Sequence, residues 1–418
     1  MDLKIEDARI ISREGRWDVL IDEGEIKEIG KELGGADECI QAEGKFVLPG
    51  FVNTHTHAAM SLLRGYADDL PLQTWLEEKI WPVEGNLDED YIYWGTKLAC
   101  LEMIKTGTVA FNDMYFFMES AAEAVEDIGM KAVLSYGMID LDIVEKREDE
   151  IEKAKEFMAE IKDSELVKPA LGPHSLYTLS REGLEWCAKY SKEKDILVHF
   201  HLGETEKELI DFKEEHDETM TEYLDDIGIL NERMIAAHCV WLEEKDYELL
   251  GERGVVVSHN PTSNMKLGVG KPMDYEKLAE NGVLVTLGTD GCASNNNLDM
   301  LEEAKIAALQ QKLSGDPTSL PAERAYEMIT KNGAEALKTG GGVVEEGKAA
   351  DLILVERGVQ SVPGHNLVSD LVYSMNGLNV TDVIINGDVV MKDRYVEGEE
   401  EIIETAREKA AELVSEVE

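Results

Sequence analysis

Residues 51–57 read FVNTHTH, a short apolar run that closes on two histidines. Side chains two positions apart on a β-strand leave the same face, so His55 and His57 are expected to project together from the end of this strand. Such a pair suits a metal ion, and it equally suits a strand that simply ends in two polar side chains. The pair alone does not separate these two interpretations.

Seven further apolar runs follow, separated by stretches with helical periodicity such as residues 151–161. The eight predicted strands cover residues 51–57, 108–113, 132–137, 167–174, 196–202, 234–238, 255–259 and 283–290. Strands that alternate with helices indicate a parallel sheet of the α/β class. Eight of them predict a (β/α)8 TIM barrel, here over residues 51–347.

Both ends of the chain show short alternating runs broken by turn residues. These runs cover residues 17–21, 25–29, 351–355 and 383–391, the last around the favoured hairpin turn Asn386-Gly387. We expect residues 1–50 and 348–418 to form a second, small β-sandwich domain. Its final segment has apolar residues at helical spacing, which predicts a terminal amphipathic helix: Ile403, Ala406, Ala410, Leu413 and Val417.

A long insertion, residues 58–85, separates the first barrel strand from the helix expected after it. Long segments at this position of a barrel usually serve function. We expect residues 72–81 to be helical and to cover a pocket.

The charge of the chain excludes some classes of partner. With 41 basic and 87 acidic residues, the formal net charge is −46, which repels nucleic acid and anionic membranes. So much self-repulsion predicts a host with a salty cytosol, where counterions screen it. The sequence shows no signal peptide and no apolar segment that could span a bilayer, so a cytoplasmic location is expected. The 5 cysteines are scattered and are interpreted as reduced thiols.

Residues able to bind a metal also end three later strands. His201 ends the fifth, His238 the sixth and Asp290 the eighth. Each alone could be an ordinary cap or turn residue, but the strand ends of a barrel converge on one cavity. Three imidazoles and a carboxylate suit a divalent ion such as zinc, which lowers the pKa of a bound water to about 7 and so favours hydrolysis.

Two neighbours of His201 have separate interpretations. Glu204, three positions on, can reach the same opening and is a candidate acid or base. His199 shares the face of His201 one layer deeper, which favours a hydrogen-bonded core role over metal binding. No HExxH, GxSxG or GxxxxGK[ST] motif offers a competing chemistry.

An ordered series of motifs runs nearly from end to end. It comprises LPGFVNTHTH (48–57), RG (64–65), DLPL (69–72), WL (75–76), HLGE (201–204), His238, HNPTSN (259–264), TDG (289–291) and AADL (349–352). This series resembles the amidohydrolase superfamily, specifically its 5-methylthioadenosine/S-adenosylhomocysteine deaminase branch. The resemblance implies hydrolytic deamination of an adenine nucleoside to an inosine-type product and ammonia.

The resemblance also implies one Zn²⁺ per subunit, held by four side chains: His55, His57, His201 and Asp290. Binuclear relatives usually carry a carbamylated lysine at the end of the fourth strand, whereas here that strand ends at His174. A single metal is therefore expected.

Three roles in catalysis are carried over from the resemblance. Glu204 would protonate the purine ring nitrogen, and His238 would orient and polarise the attacking oxygen. Asp290 would take the proton of that oxygen and pass it to the leaving amine.

Substrate contacts follow in the same way, with one departure. His174 would contact the purine and Glu84 the ribose hydroxyls, while Trp75 would wall the sugar or simply pack in a lid helix. Relatives that bind the amino-acid tail of S-adenosylhomocysteine place an arginine where Tyr136 stands. Tyr136 is expected to contact the substrate through one hydrogen bond, but a tyrosine cannot form the bidentate charged pair. Arg147 lies nearby in a charged helix. We therefore predict that adenosine, deoxyadenosine or methylthioadenosine is handled better than S-adenosylhomocysteine.

Two other functions stay open. The same metal set serves deaminases and chlorohydrolases of free bases and triazines, which have no need of a ribose contact such as Glu84. A scaffold that has lost its metal is the other alternative, and it should lack ligands that are present here. A small-molecule nucleoside is the expected partner, and since relatives are commonly oligomeric, a homo-oligomer is a further possibility.

Overall fold

The computed structural model describes residues 2–70 and 72–415, which fold around two sheets. The strands are β1 (Leu3–Ile10), β2 (Trp17–Asp22), β3 (Glu25–Gly30), β4 (Glu38–Gln41), β5 (Phe46–Pro49), β6 (Phe51–Thr56), β7 (Thr108–Tyr115), β8 (Lys131–Met138), β9 (Val167–Pro173), β10 (Val198–Leu202), β11 (Met234–His238), β12 (Val256–His259), β13 (Leu284–Leu287), β14 (Leu352–Val355), β15 (Val380–Ile385) and β16 (Asp388–Met391).

Helices fill the intervals between most of these strands. They are α1 (Leu72–Trp75), α2 (Trp81–Glu84), α3 (Glu89–Thr106), α4 (Met118–Ile128), α5 (Val144–Glu160), α6 (Arg181–Lys194), α7 (Glu206–Glu215), α8 (Met220–Ile227), α9 (Glu244–Arg253), α10 (Pro261–Lys266), α11 (Tyr275–Glu280), α12 (Cys292–Asn295), α13 (Met300–Ser314), α14 (Ala322–Met328), α15 (Lys331–Ala336), α16 (Leu367–Tyr373) and α17 (Glu399–Ser415).

Strands β6 to β13 form the barrel. They lie parallel and in chain order, each paired with the next. The end of the last strand returns to the first, because the backbone N–H of Asp290 donates to the carbonyl of His55 at 3.0 Å. The predicted (β/α)8 barrel is therefore confirmed, and the carboxyl ends of its strands share one rim.

The barrel interior changes from apolar to polar toward that rim. The lower layer is an apolar cluster that includes Val52, Ala110, Val133, Ala170, Ile235 and, from α15, Ala334. Above it, Thr54 Oγ1 lies 2.7 Å from both Ser258 Oγ and Thr286 Oγ1. Polar side chains are thus concentrated where a barrel holds its functional site.

The second sheet joins the two ends of the chain, as predicted. Strand β1 is bulged between Ile5 and Ala8; its first part pairs with β2 and β4 and its last part with β5. Residues from both halves of the sheet share one apolar cluster. Asn386 and Gly387 both have positive φ, 52° and 85°, which is the geometry of a type I′ hairpin turn. The domain limits at 50/51 and 347/348 stay a prediction.

The terminal helix differs in detail from the prediction. In α17 the buried residues are Ile402, Ala406 and Leu413, whereas Ile403 is 40% exposed. Residues 402, 406 and 413 share one face of a 3.6-residue helix, so the expected stripe was wrong by one residue at its start. Lys105 of α3 pairs with Glu399 at 2.5 Å, which fixes α17 beside the barrel. Val417 lies outside the described residues.

The insertion after β6 is helical over much of its length. A 3-10 helix (Ala58–Leu63) is followed by α1, a π turn (Leu76–Ile80) and α2. Trp75 and Ile80 are buried, while Trp81 is 51% exposed. Within the described ranges, no helix has the length and apolar character needed to cross a membrane. All five cysteines are free thiols, and all but Cys39 are buried.

Candidate metal centre and active site

The predicted metal-type side chains meet in one cluster at the rim of the barrel. Ligand atoms of His55, His201 and His238 lie within 4.8 Å of one another, and so do those of His55, His57 and Asp290. His55 belongs to both groups, so the five side chains form a single site. Gly288 makes room for it, because a Cβ at that position would lie 2.6 Å from the Cβ of His55.

The Nδ1 atoms of three imidazoles in the cluster are each held by a neighbour. Nδ1 of His55 lies 2.7 Å from Nε2 of His199. Nδ1 of His57 lies 2.6 Å from the Met114 carbonyl, and Nδ1 of His201 lies 2.8 Å from the His174 carbonyl. A carbonyl only accepts, so His57 and His201 donate from Nδ1 and direct Nε2 into the cluster. His199 thus contacts His55 as a hydrogen-bonding neighbour.

The inward nitrogens of these rings face one another. Nε2 of His57 lies 3.3 Å from Nε2 of His201, and Nε2 of His55 is buried without a hydrogen-bond partner. Asp290 Oδ1 lies 3.4 Å from Nε2 of both His55 and His57. Lone pairs and a carboxylate oxygen directed at one point fit a divalent cation such as zinc.

Asp290 is held in a fixed orientation. Its φ is 62°, a left-handed conformation that turns the chain away from β13. Oδ2 accepts from Ser263 Oγ at 2.6 Å, and Oδ1 accepts from the Gly291 N–H at 2.8 Å.

Glu204 lies next to His238 at the edge of the cluster. His238 Nδ1 lies 2.9 Å from Asn264 Oδ1 and 4.0 Å from Glu204 Oε1. Burial lowers the pKa of His238, but the carboxylates of Glu204 and Asp290 more than offset this and the net shift is upward. Burial raises the pKa of Glu204, which favours a carboxyl group able to donate a proton.

His174 lies next to His201. Its ring centroid is 4.7 Å from that of His201, and Nδ1 lies 3.1 Å from Thr178 Oγ1. Burial lowers the pKa of His174 to about 3, so the ring is neutral at physiological pH. Tyr177, which the sequence did not suggest, lies edge-on to His174 at 6.1 Å and is 62% exposed at the mouth of the site.

Glu84 ends the insertion close to the cluster. Its Oε1 accepts from Tyr115 Oη at 2.6 Å, which ties α2 to β7. Tyr115 in turn lies 6.0 Å from the ring of His57. Burial raises the pKa of Glu84. Trp75 is 6% exposed and belongs to the main apolar core, and its contact with the sugar stays a prediction.

Tyr136 is placed away from the cluster. Its hydroxyl lies 3.4 Å from Glu150 Oε1 on α5, and Leu134, which has the same strand parity, packs in the core outside the barrel. Val133, of opposite parity, belongs to the interior cluster. The side chain of Tyr136 therefore points toward α5, so the geometry argues against the direct substrate contact expected from the sequence.

Arg147 is engaged by other groups. Its NH1 donates to Ser180 Oγ at 2.9 Å and lies 3.5 Å from Glu182 Oε2 and 4.0 Å from Asp140 Oδ2. The guanidinium is therefore already paired with hydroxyl and carboxylate groups.

Several supporting residues were not identified from the sequence, because their side chains hydrogen-bond to other groups of the protein and not to a metal or substrate. Asp113 Oδ1 accepts from Thr56 Oγ1 at 2.7 Å and from the Ala58 N–H at 2.8 Å, which fixes the chain on both sides of His57. Ser263 lies in the HNPTSN motif at the end of β12, and its place in that motif could have identified it from the sequence.

Glu303 joins the loops that follow β12 and β13. This fully buried carboxyl group on α13 accepts from Asn295 Nδ2 at 2.6 Å and from the Thr262 N–H at 3.4 Å. Asn295 also donates to the carbonyl of Thr289, next to Asp290, at 2.7 Å. Burial raises the pKa of Glu303 to about 8.

A parallel eight-stranded barrel with such a cluster at its rim defines a metal-dependent hydrolase of the TIM-barrel class. The sequence model of the amidohydrolase family matches residues 46–390 of the chain. The chain belongs to the amidohydrolase family, and the resemblance seen in its motifs is confirmed.

Individual relatives match over nearly the whole chain. A 5'-deoxyadenosine deaminase of Methanoregula boonei is 52% identical over 410 residues, 96% of this chain and 93% of that protein. A 5-methylthioadenosine/S-adenosylhomocysteine deaminase of Archaeoglobus fulgidus is 48% identical over 421 residues, 98% of each. The crystal structure of an adenosine deaminase from Xanthomonas campestris with bound zinc superposes with a TM-score of 0.93 at 32% identity and covers 99% of both chains.

Proposed function

We propose that this protein is a zinc-dependent deaminase of adenine nucleosides, which releases ammonia and an inosine-type product. Its relatives named for 5'-deoxyadenosine, methylthioadenosine and adenosine deamination support this reaction. We propose one zinc ion per chain, held by His55, His57, His201 and Asp290. Bound there, zinc would supply an ionised water at neutral pH.

One observation carries the proposal: Oε1 of Glu204 lies 4.0 Å from Nδ1 of His238, which is itself part of a cluster able to bind a metal. A ring nitrogen must gain a proton while carbon 6 is attacked, and Glu204 is a partly buried carboxyl group with a raised pKa. His238, held by Asn264, would orient the attacking oxygen. Asp290 would accept the proton of that oxygen and return it to the amine, which is a poor leaving group until protonated.

The substrate contacts are proposed on geometry and charge. Neutral His174 would contact the purine, and Glu84 would accept hydrogen bonds from the ribose hydroxyls. Because Arg147 is already paired and Tyr136 faces α5, we propose that substrates without a charged 5' tail are preferred.

Two further assignments accompany this function. We propose a cytoplasmic location, which the five free thiols support. We also propose the division into a barrel over residues 51–347 and a composite domain of residues 1–50 and 348–418, which the two separate sheets support.

The test is an ammonia-release assay on zinc-loaded protein with adenosine, 5'-deoxyadenosine, methylthioadenosine and S-adenosylhomocysteine. Free adenine, guanine, cytosine and a chlorotriazine serve as competing substrates. Glu204→Gln keeps the shape of the side chain but cannot donate the carboxyl proton, so it should abolish most activity while leaving bound zinc in place. Turnover of a free base or triazine in preference to every nucleoside would contradict the proposal.

A further inference from the structure

We infer that Glu208 is a positioning residue that holds the carboxyl group of Glu204 in its reactive place. The inference rests on the proposed function, since it takes Glu204 as the proton donor. Glu208 lies in the first turn of α7, four residues after Glu204.

Both oxygens of Glu208 bind the backbone that carries Glu204. Oε1 accepts from the N–H of Gly203 at 3.1 Å, and Oε2 accepts from the N–H of Glu204 at 2.9 Å. Gly203 has a φ of 60°, so two successive N–H groups can point to one carboxylate. The carboxylate thus acts as a bidentate clamp on this turn of the chain.

The other side of the same turn is bound to the loop that follows His238. The carbonyl of Gly203 accepts from the N–H groups of Val240 at 3.0 Å and Trp241 at 2.7 Å. The hydrogen bonds of Glu208 and of the Gly203 carbonyl therefore fix the backbone at Glu204 relative to the loop that follows His238. A misplacement of about 1 Å at a reacting group can lower a rate by about 100-fold, so this connection bears directly on proton transfer.

An ordinary helix cap would use the same residues differently. Thr205 caps α7 by accepting from the Glu208 N–H, and in a capping box the glutamate would return to the N–H of Thr205. The neighbouring helix α8 does this, where Glu222 Oε2 accepts from the Thr219 N–H at 3.0 Å. Glu208 instead reaches past Thr205 to residues 203 and 204.

The environment of Glu208 is also unlike that of a cap. Burial, followed by the charge of Glu204, raises its pKa to about 7, whereas Glu222 is bonded to Lys245 and has a lowered pKa. A partly buried carboxyl group with a raised pKa, in place of one paired with a lysine, does not favour the helix in the way an exposed cap does.

The test compares Glu208→Gln with the matched control Glu222→Gln, which changes the same helix position in a true capping box. Glutamine keeps the size of the side chain but offers one acceptor and places an N–H₂ against a backbone N–H. We expect Glu208→Gln to lower kcat for methylthioadenosine by about 10- to 100-fold with KM changed less than about twofold. Bound zinc and Tm should match those of Glu222→Gln, whose kcat should equal the wild-type value.

A second readout separates positioning from structure. Purine riboside can add water at carbon 6 but has no amino group to lose, so its binding reports the protonated adduct. Its Ki should rise in Glu208→Gln by about the same factor by which kcat falls. Glu208→Asp, which keeps the charge but is shorter by one methylene, should show the same pattern and serves if the glutamine variant is unstable.

Three outcomes would overturn the inference. The first is a kcat of Glu208→Gln equal to that of Glu222→Gln, and the second is a loss of activity explained by lost zinc or lowered Tm. Either would leave the proposed function intact if the wild type releases ammonia from nucleosides. The third outcome is that the wild type releases no ammonia from nucleosides, which would overturn both the proposed function and this inference.

Discussion

Replacing Glu303 by glutamine should change how the stability of the protein depends on pH. The carboxyl group is fully buried, bonded to Asn295 and Thr262, and its pKa is raised from 4.5 to about 8. The folded protein therefore keeps a proton that the unfolded chain releases once the pH exceeds its own pKa. Stability from this group is greatest at low pH and falls as the pH rises from 4.5 toward 8.

The size of the effect follows from the two pKa values. Each unit of difference is worth about 1.4 kcal/mol, and between about pH 5.5 and about pH 8 the group should lower the free energy of unfolding by about 3 kcal/mol. Glu303→Gln cannot ionise and keeps an oxygen for Asn295. The free energy of unfolding of the variant minus that of the wild type should therefore rise by about 3 kcal/mol across this interval.

Urea unfolding followed by tryptophan fluorescence at constant salt would measure this difference. Glu302→Gln, at the exposed neighbouring position, is the control and should show no pH-dependent difference. If the difference between Glu303→Gln and the wild type stayed constant to within about 0.5 kcal/mol, the reasoning from burial would be refuted.

Three further outcomes are expected. His201→Ala should lose zinc, measured by mass spectrometry, together with at least about 100-fold of the ammonia-release rate, and full zinc with full activity would contradict the assigned ligand set. Glu84→Ala should raise KM for methylthioadenosine by about 10-fold because charged hydrogen bonds to ribose are lost, whereas an unchanged KM would favour a free-base substrate. The kcat/KM for methylthioadenosine should exceed that for S-adenosylhomocysteine by about 10-fold, since Arg147 and Tyr136 have other partners, and the reverse order would show that another group binds the tail.

Much of the fold was predictable because it depends on local patterns. Apolar runs that alternate with helical periodicity indicated the eight strands, and Asn386-Gly387 marked its hairpin through the left-handed conformation that these residues favour. Strand limits were less exact. The last strand was expected over 283–290 but ends at Leu287, because Gly288 has to pack against His55 and Asp290 has to turn inward.

The prediction that His55 and His57 project together from the first barrel strand rested on a simple alternation of side chains, which this strand does not follow. Strict alternation would place Thr54 and His55 on opposite faces of β6. Yet Thr54 bonds across the interior to Ser258, and His55 bonds to His199 of β10. The register of β6 against β7 shifts between Asn53 and Thr56, which allows both side chains to enter the barrel. Such a shift depends on the neighbouring strand and leaves no local pattern in the sequence.

The two Thr-x-x-Glu segments show most clearly where sequence reasoning ends. Thr205 with Glu208 and Thr219 with Glu222 have the same spacing and the same place at a helix start. Only the second closes a capping box, because the chain before Thr205 turns at Gly203 and offers two N–H groups that compete for the carboxylate. That turn exists because β10 ends beside β11, whose following loop binds the Gly203 carbonyl. The role of Glu208 is thus decided by a neighbouring strand far away in the chain, and identical local signatures acquire different functions through the fold alone.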